Sequence, residues 1–506
     1  MLRLSVWRKA GQAGSLFLSR ETVFYERNRL KEKSPAGMRA RAKNLLGKGR
    51  KKWKKGENMD IRAKIEEANQ RVTEIFMKAR PVWTKIAPAI DVIPGMEKNK
   101  ILVAGPPIAV EDITIPVRTA VCGAAVHDGL AKTPREAWEK VEAGEIIIDS
   151  AQNHDCGCSA AMATSASMPV IVCEDPVYGG VGYAPIHPGN SPKVLRWGFY
   201  DEEIEAHLRW FRDYYSVALD EAVRNAGGID IVQILAKTAG MGDENHNRLF
   251  ASSMFLDLEL IAQLAKVSAP RRDEVIAELA VNDRFFLHVL MAAAESVTAS
   301  AKKVPFSTVM VGMGGNGVEF GIQVAATGNR WYTAEAPILG SFLNPTYTVE
   351  DMLGYLGDSC VTEVYGLGGM AAVSSPAYVR MTGGTLEDAR ERTNRARTVS
   401  LGEHTFNQVP WDDFKGSPVA IDVRKVVALN TLPISHGGSG LKKGGQAGAG
   451  SCELPLECFK KALRDVAEEI LPRELLPEEG NEGVGGDRKR AGRGITGGKD
   501  ERICKD

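Results

Sequence analysis

The octapeptide Met241-Gly242-Asp243-Glu244-Asn245-His246-Asn247-Arg248 gathers two carboxylates, an imidazole and a guanidinium. Each type has a chemical use. His246 can move protons near neutral pH. Arg248 can grip a phosphate or carboxylate through two parallel N–H groups. Asp243 and Glu244 can orient both. The spacing reads as the opening of a helix over Asn245 to Lys266, where free N–H groups favour anions. Acidic residues suit a first helical turn on their own account, but capping does not explain His246 and Arg248 together. Asp243, Glu244 and His246 are therefore candidate catalytic residues, and Arg248 is a candidate substrate contact.

A second cluster, His154-Asp155-Cys156-Gly157-Cys158-Ser159, follows the apolar run Ile146 to Asp149, which reads as a buried strand. In α/β sheets ligands bind at the carboxyl ends of strands. His154 joins the candidate catalytic set. The alternative is a metal held by His154, Cys156 and Cys158, as in a metal-assisted amidohydrolase. Metal sites draw ligands from two places, however, and there is no second pair with two-residue spacing. The main reading has no metal and no cofactor.

Gly312-Met313-Gly314-Gly315-Asn316-Gly317 matches a dinucleotide-binding pattern letter for letter. That pattern must open a helix. Here Val318, Phe320, Ile322 and Val324 alternate with Glu319, Gly321 and Gln323, which is strand periodicity. The match reads instead as a hairpin turned at Asn316-Gly317. Glycine runs at Gly366 to Gly369, Gly383-Gly384 and Gly437 to Gly450 read as turns, and the amides of the first and the last can cradle an oxyanion. The last of these runs carries Lys442 and Lys443, with His436 just ahead of it. No Walker pattern, zinc-protease motif, serine elbow or kinase set is present. The isolated charges Arg330, Asp358, Glu363, Asp422 and Arg424 suit structural ion pairs.

The elements around these motifs alternate. A helix is expected over Ile61 to Arg80, a strand at Ile101 to Ala104, a helix within Pro116 to Leu130, and a helix capped by Thr133-Pro134-Arg135-Glu136. A strand follows at Val170 to Cys173. Helical patterns then dominate Glu202 to Asn225, Asp230 to Gly240, Asn245 to Lys266 and Arg271 to Leu279. Strands return at Phe306 to Met313, Val318 to Ala325 and Arg330 to Ala334. This alternation indicates an α/β class of complex mixed architecture with a mostly helical subdomain in the middle. The expected parts are a basic extension over 1–58, an α/β domain over 59–201, the helical subdomain over 202–301, a Gly-rich α/β domain over 302–472 and a disordered tail over 473–506.

Charge is unevenly spread. Residues 1–58 hold 17 Lys/Arg against 4 Asp/Glu, and the remainder carries a net charge of about −13. An acidic body is a poor platform for nucleic acid. The basic start reads as an extension outside the folded unit, with Met59 as the functional start; a targeting peptide or an RNA-binding arm is the lesser alternative. No run approaches the roughly 18 apolar residues of a membrane span. The eight cysteines do not form a disulfide pattern, which points to the cytoplasm.

Taken in order, Ala104-Gly105-Pro106-Pro107-Ile108, Ala163-Thr164-Ser165-Ala166-Ser167-Met168-Pro169, the Met241 to Arg248 element, Asn316-Gly317-Val318-Glu319-Phe320-Gly321 and Gly445-Gln446-Ala447-Gly448-Ala449-Gly450 resemble the YlbE/AllG-like family over about 410 residues. The resemblance implies carbamoyl transfer between carbamoyl phosphate and oxamate, giving oxalurate and phosphate, a reaction that runs towards carbamoyl phosphate in allantoin breakdown. It also implies a hetero-oligomer with an FdrA-like subunit and a third subunit. The strand-end loop departs from the family pattern, reading Asn153 to Met162 where a His pair and Val-Gly-Pro-Met-x-Gly are usual. The Ser-Thr-Arg-Thr-Arg phosphate motif of transcarbamoylases is absent. Arg248, Asn316, Gly317, Glu319, Gly368, Gly369 and Ser165 are the candidate substrate contacts. The resulting expectation is a carbamoyltransferase subunit taking carbamoyl phosphate and a small amide or carboxylate. A non-catalytic scaffold subunit is the remaining alternative.

Overall fold

A computed structural model of the chain describes residues 57–186, 194–340 and 344–470. Most of the basic extension and the charged tail expected after residue 472 lie outside them. Backbone contacts divide the chain between Asp60 and Ile61, and the sheets of the described residues lie in the unit that begins at Ile61.

The organising element is the helix Phe285–Ala301. Its sequence is apolar or small on every side, and nearly every residue in it is buried. A helix hydrophobic all round must be enclosed. One side lies on an antiparallel sheet with the order Val181–Pro185, Pro169–Glu174, Val82–Pro88 and Ile229–Asp230. The amphipathic helix Glu57–Lys78, the continuous rod from Glu202 to Ala226 with its π turn at Phe211–Tyr215, and the helix Phe250–Leu264 complete this layer. Their buried residues join one core with the later strands.

A second antiparallel sheet runs Tyr332–Glu335, Glu319–Val324, Met310–Asn316 and Leu356–Gly357. The glycine-rich hexapeptide is the buried strand Met310–Asn316, and Asn316-Gly317 turns it into its neighbour. Asn316 Oδ1 accepts the N–H groups of Val318 and Glu319 at 3.0 and 2.8 Å, which fixes that turn. The helix Leu456–Ile470 covers the outer strands with Cys458, Phe459, Ala462 and Val466.

A smaller sheet has Lys100–Val103 at its centre, parallel to Ile147–Ser150 and antiparallel to Ala163–Thr164. The helices Ile115–His127 and Pro134–Glu142 make the crossover. Thr133 caps the second by accepting the Glu136 N–H, as its sequence indicates. The chain is thus mixed α/β.

Three expectations need correction. The strand Ile147–Ser150 is not buried: it is the sheet edge, and Ile147 is 40% exposed. The helix expected from Asn245 begins only at Phe250. The late glycines are not turns throughout. Ile434–Gly440 and Gln446–Glu453 pair as a ribbon, and Gly368–Ser374 is a 3-10 helix. Glycine suits that ribbon because its strands press on rings: a Cβ at Gly437 would lie 3.1 Å from Tyr355, and one at Gly440 2.9 Å from Trp197. Of the isolated charges, Asp422 pairs with Arg424 and Arg330 with Asp465.

Candidate active site

Glu244 explains why the Met241 to Arg248 element is not helical. Its Oε2 accepts the His246 N–H at 2.7 Å, and its Oε1 accepts the N–H groups of Asn247 and Arg248 at 2.7 and 3.0 Å. A carboxylate that takes three consecutive amides replaces the carbonyls a helix would use. Asn245 turns through the left-handed region at φ 65°. Asp243 Oδ2 then accepts the Ser252 N–H at 2.9 Å, satisfying a free donor of the helix that starts at Phe250.

The loop holds the His246 ring between two groups from far along the chain. Nδ1 lies 2.8 Å from Glu363 Oε1, and Nε2 lies 2.8 Å from Ser359 Oγ. Glu363 is itself pinned. Its Oε1 accepts the N–H groups of Gly369 and His436, each at 2.9 Å, and its Oε2 accepts the Thr362 hydroxyl at 3.0 Å. The Gly368 N–H donates to the Glu244 carbonyl at 2.6 Å. The amides of Gly368 and Gly369 therefore fix the two acidic residues. His436 Nδ1 lies 3.6 Å from Glu244 Oε1, and its ring packs on Tyr378.

His246, Glu244, Glu363 and His436 are all buried, whereas Ser359 is half-buried. Burial alone lowers an imidazole. The charge and hydrogen bond of Glu363, with the charge of Glu244, outweigh burial and hold His246 above the ordinary histidine value. Burial alone would raise Glu244, but the neighbouring His436 and His246 hold it below the usual carboxylate value. Burial raises Asp243.

Ser359 lies in the segment where the sequence motifs converge. The strand Leu356–Gly357 passes through Asp358, Ser359 and Cys360 into the short helix Val361–Val364. Asp358 donates its N–H to the Cys158 carbonyl at 2.8 Å and accepts the Gly105 N–H on Oδ1 at 2.7 Å. Cys360 Sγ reaches the Met313 carbonyl at 3.3 Å, and Asn316 Nδ2 donates to the Pro106 carbonyl at 3.0 Å. The Gly105 turn, the loop after Ser150, the glycine-rich strand and the His246 loop thus meet through residues 357–363.

His154 is held elsewhere. Its ring nitrogens lie 2.6 Å from the Pro94 carbonyl and 2.9 Å from Asp149 Oδ2. The Asp149 hydrogen bond raises it despite burial. Its bonded partners and those of His246 share no residue. The Cys156 and Cys158 thiols are fully buried, and burial drives both well above the usual thiol value. Among the described residues no three His, Cys, Asp or Glu side chains are gathered as a metal set. Arg248 is one-third exposed; its Nε donates to the Gly242 carbonyl and its guanidinium covers the Phe250 ring. Asn316 and Gly317 form the hairpin turn, Glu319 accepts the Thr333 hydroxyl beside it, and Ser165 is buried after the strand Ala163–Thr164.

By sequence alone Glu363 suits an ordinary ion pair, and Ser359 stands in no recognised motif. The available signal is Gly357-Asp358-Ser359 between a short strand and a helix, with no full motif around it.

Fold and site together define a mixed α/β protein with a carboxylate–imidazole–hydroxyl chain whose carboxylate and imidazole are buried. Comparison with known proteins gives the family. The model of the family described as oxamate carbamoyltransferase subunit AllG matches residues 146–359. The chain is 33% identical to oxamate carbamoyltransferase subunit AllG of Escherichia coli (strain K12) over 413 residues, which is 80% of this chain and 98% of that protein. It is 36% identical to the uncharacterized protein YahG of the same organism over 407 residues, 79% of this chain and 85% of YahG. A crystal structure of a conserved protein of unknown function from Enterococcus faecalis V583 superposes with a TM-score of 0.78 at 33% identity. It covers 81% of this chain and 99% of that one. The chain belongs to the AllG family. Among the described residues no helix is long and apolar enough to cross a membrane.

Proposed function

We propose that this chain is a carbamoyltransferase subunit of the cytoplasm, acting on carbamoyl phosphate and a small amide acceptor such as oxamate within a complex of unlike subunits. The observation that carries the reading is the His246 imidazole held between Glu363 and Ser359. Family membership supports the substrate class.

Transfer overall replaces the bond between the carbamoyl carbon and phosphate by a bond from that carbon to the acceptor nitrogen. The nitrogen loses a proton and the departing phosphate gains one. A positioned acid–base group serves both needs and contributes about 10²- to 10⁴-fold. His246 is that group, reaching the substrate through the Ser359 hydroxyl. Glu363 and Glu244 fix its ring and its loop, and Asp243 fixes the helix behind them. Arg248 takes the phosphate, because it is the accessible guanidinium on the same loop and suits paired contacts to phosphate oxygens.

Calorimetric titration of carbamoyl phosphate into the full chain, alone and with its partner subunits, tests the phosphate contact. Arg248→Ala should weaken binding about tenfold or more, since charge-assisted hydrogen bonds of about 1.5–3 kcal/mol are lost. Unchanged binding removes the phosphate from this loop. Turnover by His246→Asn at the wild-type rate would remove the acid–base role.

A further inference from the structure

We propose that Ser359 is a catalytic nucleophile that carries the carbamoyl group as a covalent intermediate. The inference rests on the carbamoyl-transfer reading and adds a step to it.

The geometry is that of an activated hydroxyl. Ser359 Oγ is 2.8 Å from His246 Nε2, and Nδ1 of the same ring is 2.8 Å from Glu363 Oε1. A nucleophile within hydrogen-bond reach of a base, with the base oriented by a third group, is the arrangement that covalent catalysis needs. The orienting group is fixed by two backbone N–H groups and the Thr362 hydroxyl. The nucleophile is fixed too: its neighbours Asp358 and Cys360 are tied to Cys158, Gly105 and Met313.

Exposure gives the chain of groups a direction. The side chains of His246 and Glu363 are 2% and 1% exposed, while Ser359 is half-buried. Of the three groups, Ser359 is the one a substrate can meet. The nearby thiols of Cys156, Cys158 and Cys360 are no substitutes, because burial holds all three well above the usual thiol value and keeps them protonated.

The first step forms a bond between Ser359 Oγ and the carbamoyl carbon. His246 Nε2 takes the hydroxyl proton. The carbon–oxygen bond to phosphate breaks, the electron pair leaves with phosphate, and His246 returns the proton to a phosphate oxygen. In the second step the acceptor nitrogen bonds to the same carbon and gives its proton to His246. The bond to Oγ breaks, and His246 reprotonates Ser359. Nothing is oxidised or reduced.

The test incubates the full chain and its partner subunits with isotopically labelled carbamoyl phosphate, without acceptor, followed by an acid quench and peptide mass mapping. One carbamoyl group on Ser359, released when oxamate is added, is the expected result. Ser359→Ala should abolish the adduct and cut transfer at least about 100-fold. Ser359→Cys should regain an adduct, which separates lost chemistry from lost fold. Transfer without an adduct, with Ser359→Ala at the wild-type rate, overturns the inference and leaves carbamoyl transfer standing. An adduct on another residue also overturns it. If no assembly turns over carbamoyl phosphate, the transfer reading fails, and a fluorophosphonate probe then decides the nucleophile. Labelling of Ser359 that is lost in His246→Asn and Glu363→Gln supports it; absence of labelling overturns it.

Discussion

Glu363 Oε1 lies 2.8 Å from His246 Nδ1 across 117 residues of sequence. The same oxygen accepts the N–H groups of Gly369 and His436, and Thr362 holds the other oxygen. Oε1 already serves two N–H groups as an acceptor, so in its contact with the ring the proton sits on Nδ1. The pair thereby defines which ring nitrogen faces inward and leaves Nε2 for Ser359.

Replacing Glu363 by Gln tests that division of labour. The amide keeps the size but brings N–H groups where donors already point. At a fully buried site the ring loses its fixed tautomer, and turnover of the assembled complex should fall about 10²- to 10⁴-fold. Circular dichroism should show the fold retained. A variant that is folded and fully active would show that Glu363 does not orient the base.

The pH dependence of stability follows from His246. Burial works against its charge, but Glu363 and Glu244 raise it above 6.5. A group raised in the folded state contributes stability that is complete below the unfolded value and is lost as pH rises through the folded value. The stability gap between wild type and His246→Asn should therefore be widest below pH 6.5 and narrow as pH rises above it. Urea unfolding across that range measures it. A gap that widens with pH would mean that the ring is buried neutral.

Glu295 should behave in the opposite sense. It sits in the apolar central helix, and burial pushes it up to about 7 from 4.5. The folded state then resists ionisation. The cost is absent below the unfolded value, grows between the two values and is complete above the higher one. Glu295→Gln should leave stability unchanged in acid and raise it by on the order of 3 kcal/mol in mild alkali. Thermal melts on either side of neutrality would show this, and a variant destabilised in alkali would mean that Lys302 and the Thr298 hydroxyl sustain the carboxylate.

Gly368 has φ +55°, and a Cβ there would collide with the Glu363 carboxylate. Gly129 has φ +71° with open space around it. Gly129→Ala should cost only the backbone penalty, about 1–2 kcal/mol, with turnover unchanged. Gly368→Ala should cost more and also lower turnover by displacing Glu363. Equal effects of the two substitutions on turnover would remove the link between this glycine and the site.

Local chemistry is legible along the chain. Alternation of Val318, Phe320, Ile322 and Val324 marks a strand and excludes a dinucleotide loop, and the structure has that hairpin. Thr133 and Pro134 mark a helix start that is present. The unusual density of charge in Asp243 to Arg248 marks a segment with acid–base groups, and the fold buries its Asp243 to His246 part. These features depend on residues a few positions apart, so periodicity and capping rules reach them.

Other features need the tertiary structure. Asn245 reads as helical, but Glu244 takes the amides of its loop. The glycines from Gly437 read as turns, but the aromatic rings beside them call for a bare strand. Ser359 and Glu363 carry no local mark, because their meaning comes from His246, more than a hundred residues away. The linear chain is enough to establish a mixed α/β class and a short charged segment rich in acid–base groups. Packing alone chooses the partners of that loop. A hydrogen bond depends on where a donor and an acceptor stand in space, and only the buried core that gathers residues 105, 158, 246, 316 and 363 sets those positions.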